Sequence, residues 1–277
     1  MKKTLIALAM AVSAVSGAAH AWTSGDFNGS FDIDGTISAD TYSDKWEWMI
    51  GEPLSFQNTI KEMTEGNKVL TISQEKPVSI LLGRTKEAFA APSVGVGAIP
   101  LISFSDSNGT PVSLQDSGEN KGFFNLPMKD DSGNALGNVK VNVTTAGLLS
   151  FSETRTGYVG VSSVFSNDDS HIYHGGLVSS VTNSGNDASS ILSKFGGDNH
   201  TALLKQIIQV IPDAGKNGQV KQPYAHAYDM VLTNGDVMAS SYVLGIDQGQ
   251  TIEATFTNPV TKNTQWSAPL NVAVTYN

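Results

Sequence analysis

The chain has 277 residues, a formal net charge of −9 and no cysteine. Without cysteine there are no disulfides, so stability must come from a hydrophobic core, which a chain of this length can supply. An acidic chain is a poor partner for nucleic acid or an anionic membrane surface.

Met1 to Ala21 reads as a secretory signal. Lys2 and Lys3 precede an apolar run from Leu5 to Val15, and Ala19-His20-Ala21 fits small-x-small cleavage. Loss of this segment, with two lysines and no acid, would take the charge from −9 to −11. Beyond it, residues 26–38 alternate: Phe27, Gly29, Phe31, Ile33, Gly35 and Ile37 share one strand face, with polar residues between them.

Strand patterns dominate the rest of the chain. Lys45 to Ile50 alternates and carries Trp46 and Trp48. Lys68 to Ser73 and Pro77 to Gly83 are apolar and β-branched. Ile99 to Phe104 and Val112 to Leu114 flank the turn Asp106-Ser107-Asn108-Gly109. Phe123 to Met128 and Val139 to Thr144 flank a second turn at Lys129 to Asn134. Met230 to Leu232 and Val237 to Leu244 flank Thr233-Asn234-Gly235-Asp236. Gln250 to Phe256 alternates, and so does Leu270 to Asn277, with Leu270, Val272, Val274 and Tyr276 on one face. Turn signals at this spacing predict an all-β sandwich or barrel.

Residues 147–222 break the pattern. They are rich in serine, asparagine and glycine and read as an insertion with two short helices. Ala188, Ile191, Leu192 and Phe195 form one helical face, with Asp187 as N-cap and Gly196-Gly197 as the stop. Leu203, Leu204, Ile207, Ile208 and Ile211 form the other, ended by Pro212.

The pattern of chemistry-bearing residues points away from an enzyme. There is no cysteine nucleophile and no Gly-x-Ser-x-Gly elbow, and the aspartates cluster in turns. No catalytic residue, cofactor or metal is expected. His171 and His174 are spaced for opposite faces of a strand, which disfavours a shared metal. Two amphipathic strands at the extremes of the chain instead predict a subunit completed by exchange of strands with its neighbours. The competing reading keeps residues 26–38 paired within their own domain. That would make a monomeric exported carbohydrate-binding sandwich that does not polymerise.

Trp22 to Ser30, Lys45-Trp46-Glu47-Trp48, Leu82 to Ala90, Leu244-Gly245-Ile246, Gly249 to Phe256 and Thr264 to Val272 carry a family resemblance. In these stretches the chain resembles the major fimbrial subunits of the chaperone–usher pathway of enterotoxigenic Escherichia coli, of the FaeG/ClpG type. The similarity runs over most of the chain. It implies an incomplete immunoglobulin-like β-sandwich (39–277, with the insertion at about 147–222) completed by donor-strand exchange. It also implies a cell-surface fimbrium reached through the periplasm.

The implied partners are identical subunits, a periplasmic chaperone, an outer-membrane usher and host intestinal cell-surface glycans. The donor strand of residues 22–38 maps onto Phe27, Gly29, Phe31, Ile33, Gly35 and Ile37. Burying its four large side chains would contribute roughly 6–12 kcal/mol before ordering costs. Leu270, Val272, Val274 and Tyr276 would form the groove wall and the chaperone's recognition edge. One departure is Thr264, where many pilus subunits place a glycine fourteen residues from the C-terminus. Sugar recognition needs an aromatic face and polar groups. Within the insertion, Glu153, Arg155, Tyr158, His171 and Tyr173 provide them.

Overall fold

The computed structural model describes residues 42–277, which belong to one compact unit. The expected signal Met1–Ala21 and the donor-strand residues Phe27, Gly29, Phe31, Ile33, Gly35 and Ile37 lie outside the described residues.

Twelve strands and two α-helices make up the described chain. In order they are β1 (Trp46–Ile50), β2 (Val69–Ser73), β3 (Val78–Thr85), β4 (Pro100–Ser105), β5 (Gln115–Gly118), β6 (Lys121–Lys129), β7 (Ala135–Glu153) and β8 (Tyr158–Ser163). Helices α1 (Gly185–Lys194) and α2 (His200–Val210) come next, then β9 (Gln219–Lys221), β10 (Met238–Ile246), β11 (Thr251–Phe256) and β12 (Asn271–Tyr276). The fold is all-β with a small helical insert, as the sequence predicts.

The organising strand is β7. At 19 residues it spans about 60 Å if extended, far longer than the usual five or six residues. Its first half, 135–144, lies between β6 and β11, while its second half pairs with β10 from 144 to 151 and with β8 from 148 to 153. One sheet path therefore runs β5-β6-β7-β11-β2 and another β1-β3-β10-β7-β8-β9, joined through a single strand. The expected start of the insertion, residue 147, falls in the middle of β7. Gly147 serves close packing there: a Cβ would sit 3.0 Å from Val164 and 3.2 Å from the Tyr173 ring. The helices enter only after β8.

Strand β10 shows how the two faces divide. All nine of its residues are buried. Tyr242 and Leu244 face the main core with Leu81, Phe124, Leu126, Ile252 and Phe256. The intervening Ala239, Ser241, Val243 and Gly245 are small and lie under the helices, where Ala188, Leu192, Leu203 and Ile207 complete a second apolar cluster. Gly245 is required there, because a Cβ would meet the Phe195 ring at 2.5 Å. Ser150 and Ser163 share this face, and with Ser241 they leave buried hydroxyls without a partner among the described residues. Small volume is what the position selects.

Both helices start on side-chain caps, one of them displaced from the sequence reading. Ser184, not Asp187, caps α1: its hydroxyl accepts from the Asn186 and Asp187 amides. Asp187 sits in the first turn, where its charge favours the helix dipole. Asn199 caps α2 through the amides of Thr201 and Ala202. Gln206 pins α2 to β3, donating to the Thr85 carbonyl at 2.8 Å and accepting from its hydroxyl at 2.6 Å.

Two of the expected strands within the described residues do not form. Val112 to Leu114 forms only the closure of the Asp106 turn, where the Val112 amide donates to the Phe104 carbonyl. Met230 to Leu232 makes a single bridge, Val231 to Ala91, so Asn234-Gly235 is not the tip of a two-stranded hairpin.

Candidate functional site

The C-terminal segment pairs on one edge only. Strand β12 runs antiparallel to β4, with Val272 opposite Phe104, Val274 opposite Ile102 and Tyr276 opposite Pro100. Among the described residues no strand takes its other edge. Asn277 continues the ladder, exchanging both main-chain bonds with Ile99 at 3.0 and 3.1 Å.

Exposure along this segment alternates with strict period two. Thr264, Trp266, Ala268, Leu270, Val272, Val274 and Tyr276 are half-buried, and each residue between them is exposed. The alternation thus begins seven residues before the strand itself. Thr264 lies on the half-buried face, in phase with the apolar residues.

Strand β1 is the other edge, paired only with β3. On its inner face exposure climbs from Trp46, which is buried, through half-buried Trp48 to Ile50, which is 64% exposed. The Trp48 indole nitrogen donates to the Tyr276 hydroxyl at 2.8 Å, so the two edges meet at that point. Burial raises the pKa of the Tyr276 phenol, and the Trp48 bond partly offsets this. The sequence reading missed Trp48, Ile50 and Trp266 as members of this edge. The clue was present in the alternation of Trp46 and Trp48, and in the phase that Trp266 shares with Leu270.

The five sugar-contact candidates do not form one group. Glu153 and Tyr158 are cross-strand partners at the β7–β8 turn, and Arg155 lies exposed between them. Tyr158 is 38% exposed. Thr156 shapes the turn, donating to the Glu153 carbonyl at 3.1 Å and to its carboxylate at 3.0 Å. Two further aromatics lie on the segment that follows β9. Tyr228 stands with its ring centroid 6.0 Å from that of Phe151, which crosses Gly160, and 5.9 Å from His226. Tyr224, 67% exposed, is the most exposed of the large hydrophobic side chains described and was missed by the sequence reading.

His171 and His174 belong to a different loop and have different neighbours. His171 Nδ1 lies 3.3 Å from Asp168, and His174 Nδ1 lies 3.4 Å from the Ser166 hydroxyl. Serine and main-chain hydrogen bonds, led by the Ser170 hydroxyl, lower the pKa of the Asp168 carboxyl.

Tyr173 requires a correction. It is fully buried, with its ring centroid 5.0 Å from Tyr242 and 5.8 Å from Trp46, and its hydroxyl bonds to Ser240 at 2.6 Å. A φ of 65° turns the chain so that the side chain points inward rather than out of the loop. Burial raises its pKa strongly. It is a core residue, closed to any surface ligand.

The class these features belong to is set by comparison with known proteins. Over residues 1–277 the chain matches the family described as fimbrial, major and minor subunit, and it belongs to that family. It is 46% identical to K88 fimbrial protein AB and to K88 fimbrial protein AD of Escherichia coli, over the whole of both chains in each case. It is also 27% identical to F41 fimbrial protein of Escherichia coli, again over both full lengths. The protein is a structural subunit of a cell-surface fimbrium that polymerises with like subunits. Among the described residues no helix is long and apolar enough to cross a membrane.

Proposed function

We propose that the subunit polymerises by donor-strand exchange, with residues 22–38 of one copy pairing along β12 of the next. The observation that carries this reading is the edge of β12 that no strand among the described residues takes, beside its alternating half-buried face. An added strand would satisfy unpaired main-chain groups and seat its alternate side chains against Trp48, Ile50, Val272 and Val274. Phe27, Gly29, Phe31, Ile33, Gly35 and Ile37 have the matching period. Before assembly the same edge is open to a periplasmic chaperone's strand, with Leu270, Val272, Val274 and Tyr276 as the wall it reads. Delivery through an outer-membrane usher completes the route to the surface. In this reading residues 1–21 are removed on export, 22–38 are donated, and 39–277 form an immunoglobulin-like sandwich lacking one strand.

Deletion of Trp22 to Ile37 tests the proposal. The truncated subunit should still bind the chaperone but form no multimers, and a synthetic peptide of residues 22–38 should stabilise it. A full-length protein that stays monomeric, together with a truncated one that unfolds regardless of chaperone, would leave only the monomeric carbohydrate-binding module.

The fimbria's adhesion to host intestinal cells, through glycans, falls in this reading to the β7–β8 turn. Exposed Tyr158 offers a ring face for a sugar's apolar side, and Glu153 and Arg155 offer polar groups next to it. A glycan array on peptide-complemented protein, repeated with Tyr158→Ala, checks this. Binding that the substitution leaves unchanged would move the site elsewhere, and no binding at all would leave a shaft subunit only.

A further inference from the structure

Three Asn-Gly pairs occur among the described residues: Asn108-Gly109, Asn217-Gly218 and Asn234-Gly235. An Asn-Gly bond is open to intramolecular attack, because glycine puts no side chain between its backbone nitrogen and the preceding side-chain amide. The three glycines share a positive φ, of 78°, 105° and 86°. Sequence alone ranks them as equals, but their surroundings differ.

The attacking nitrogen is engaged in two of the three. Gly109 donates its amide to the Asp106 carbonyl at 3.0 Å, and Gly218 donates to the Gly215 carbonyl at 2.8 Å. Asn217 is also held from both sides, its side chain donating to the Thr156 carbonyl at 2.8 Å and its amide to the Gly157 carbonyl at 3.0 Å. Among the described residues the Gly235 amide donates to no protein acceptor, and the space around Gly235 is open.

The electrophile at the third site is also prepared. Asn234 Oδ1 accepts the Asp236 backbone N–H at 3.1 Å, the kind of donor that stabilises a developing oxyanion. The leaving nitrogen, Asn234 Nδ2, donates to Asp236 Oδ2 at 2.7 Å.

We propose that Asn234 is a self-modification site, converting to aspartate or isoaspartate ahead of the other two. The Gly235 nitrogen attacks Asn234 Cγ and forms a five-membered succinimide. Its proton leaves with Nδ2 as ammonia. Water then adds to one of the two ring carbonyls and opens the ring, and no oxidant or reductant takes part.

The product damages its own support. Asp236 is buried and holds a corner of the fold. Its Oδ1 accepts from the Ser152 hydroxyl at 3.0 Å and from the Thr154 amide at 2.8 Å, tying the end of β7 to the start of β10. After conversion an amide donor has become a carboxylate facing that carboxylate, and like charges at this separation repel.

The test begins with the full-length protein aged in mildly alkaline buffer, digested, and read site by site by peptide mass spectrometry. Asn234 is expected to convert several-fold faster than Asn108 and Asn217. Equal or faster conversion at either of those sites overturns the ranking. For the damage, Asn234→Asp should melt below the native protein, and adding Asp236→Asn to it should cost less than Asp236→Asn costs alone. Additive losses, or an Asn234→Asp variant that melts with the native protein, overturn the damage claim.

Discussion

Strands β10 and β12 are both apolar on one face, yet they meet opposite environments. Every residue of β10 is buried, with the main core on one side and helices on the other. In β12 no residue is fully buried, and one edge is unpaired among the described residues. The difference shows in composition. The second face of β10 is made of alanine, serine, valine and glycine, which lets helices approach, whereas the second face of β12 is Asn271, Ala273 and Thr275, which suits water. One strand is covered on both faces within its own domain, and the other keeps an edge that no described strand takes.

The sharpest way to break this contrast is to empty the core on the finished side. Tyr242→Ala removes a fully buried ring and the bond from its hydroxyl to the Gly176 carbonyl at 2.6 Å. The expected loss is about 3–5 kcal/mol by urea denaturation of peptide-complemented protein. A loss as small as that at a half-buried site would erase the contrast. Val274→Ala, on the open side, is expected to cost about 1 kcal/mol in the subunit alone, since the residue is only half covered. Its larger effect should fall on multimer yield, read by gel electrophoresis without boiling.

Ser241→Ala is expected to act in the other direction. It removes a buried unpartnered hydroxyl while keeping the small volume, and should stabilise by about 1 kcal/mol in the same urea assay. Ser184→Ala should cost about 1 kcal/mol through loss of the α1 cap, with a matching loss of helical circular dichroism.

The smallest effect concerns pH. The Ser179 hydroxyl, with the Gly118 and Ser180 amides, lowers the Asp116 carboxyl to about 2. A depressed pKa contributes stability above the unfolded value, near 3.8, that is lost as pH falls through about 2. Asp116 is exposed, so screening holds the contribution under about 1 kcal/mol. Asp116→Asn should therefore be less stable than the native protein at neutral pH and converge with it below pH 2.

How far the sequence could be read depended on how local the determining physics was. Strands with one wet face, such as β11 and β12, alternate cleanly and were legible almost to the residue. Strand β7 was legible only from Val139 to Thr144. Past that point it is buried on both faces, so the alternation disappears, and its serines and glycines look like loop. The start of α1 was misplaced by three residues because Ser184 and Asp187 are both good caps, and only the fold decides between them. Tyr173 misled because it lies in a stretch rich in aspartate, serine and histidine, and it takes its inward direction at a left-handed backbone angle. Within the candidate assembly edge the C-terminal half was readable from period two. Its partner face on β1 depends on Trp48 reaching Tyr276 across 228 positions, which no local pattern encodes.

One strand common to both paths of the large sheet has a mechanical consequence for a protein that lives in a fibre. Most layered folds can slip under shear, because only side chains join the layers. Here the backbone of β7 passes from one path to the other, clamped by β6 and β11 along its first half and by β10 and β8 along its second. To part the two paths, a pull must strip the ladders along one whole half of β7.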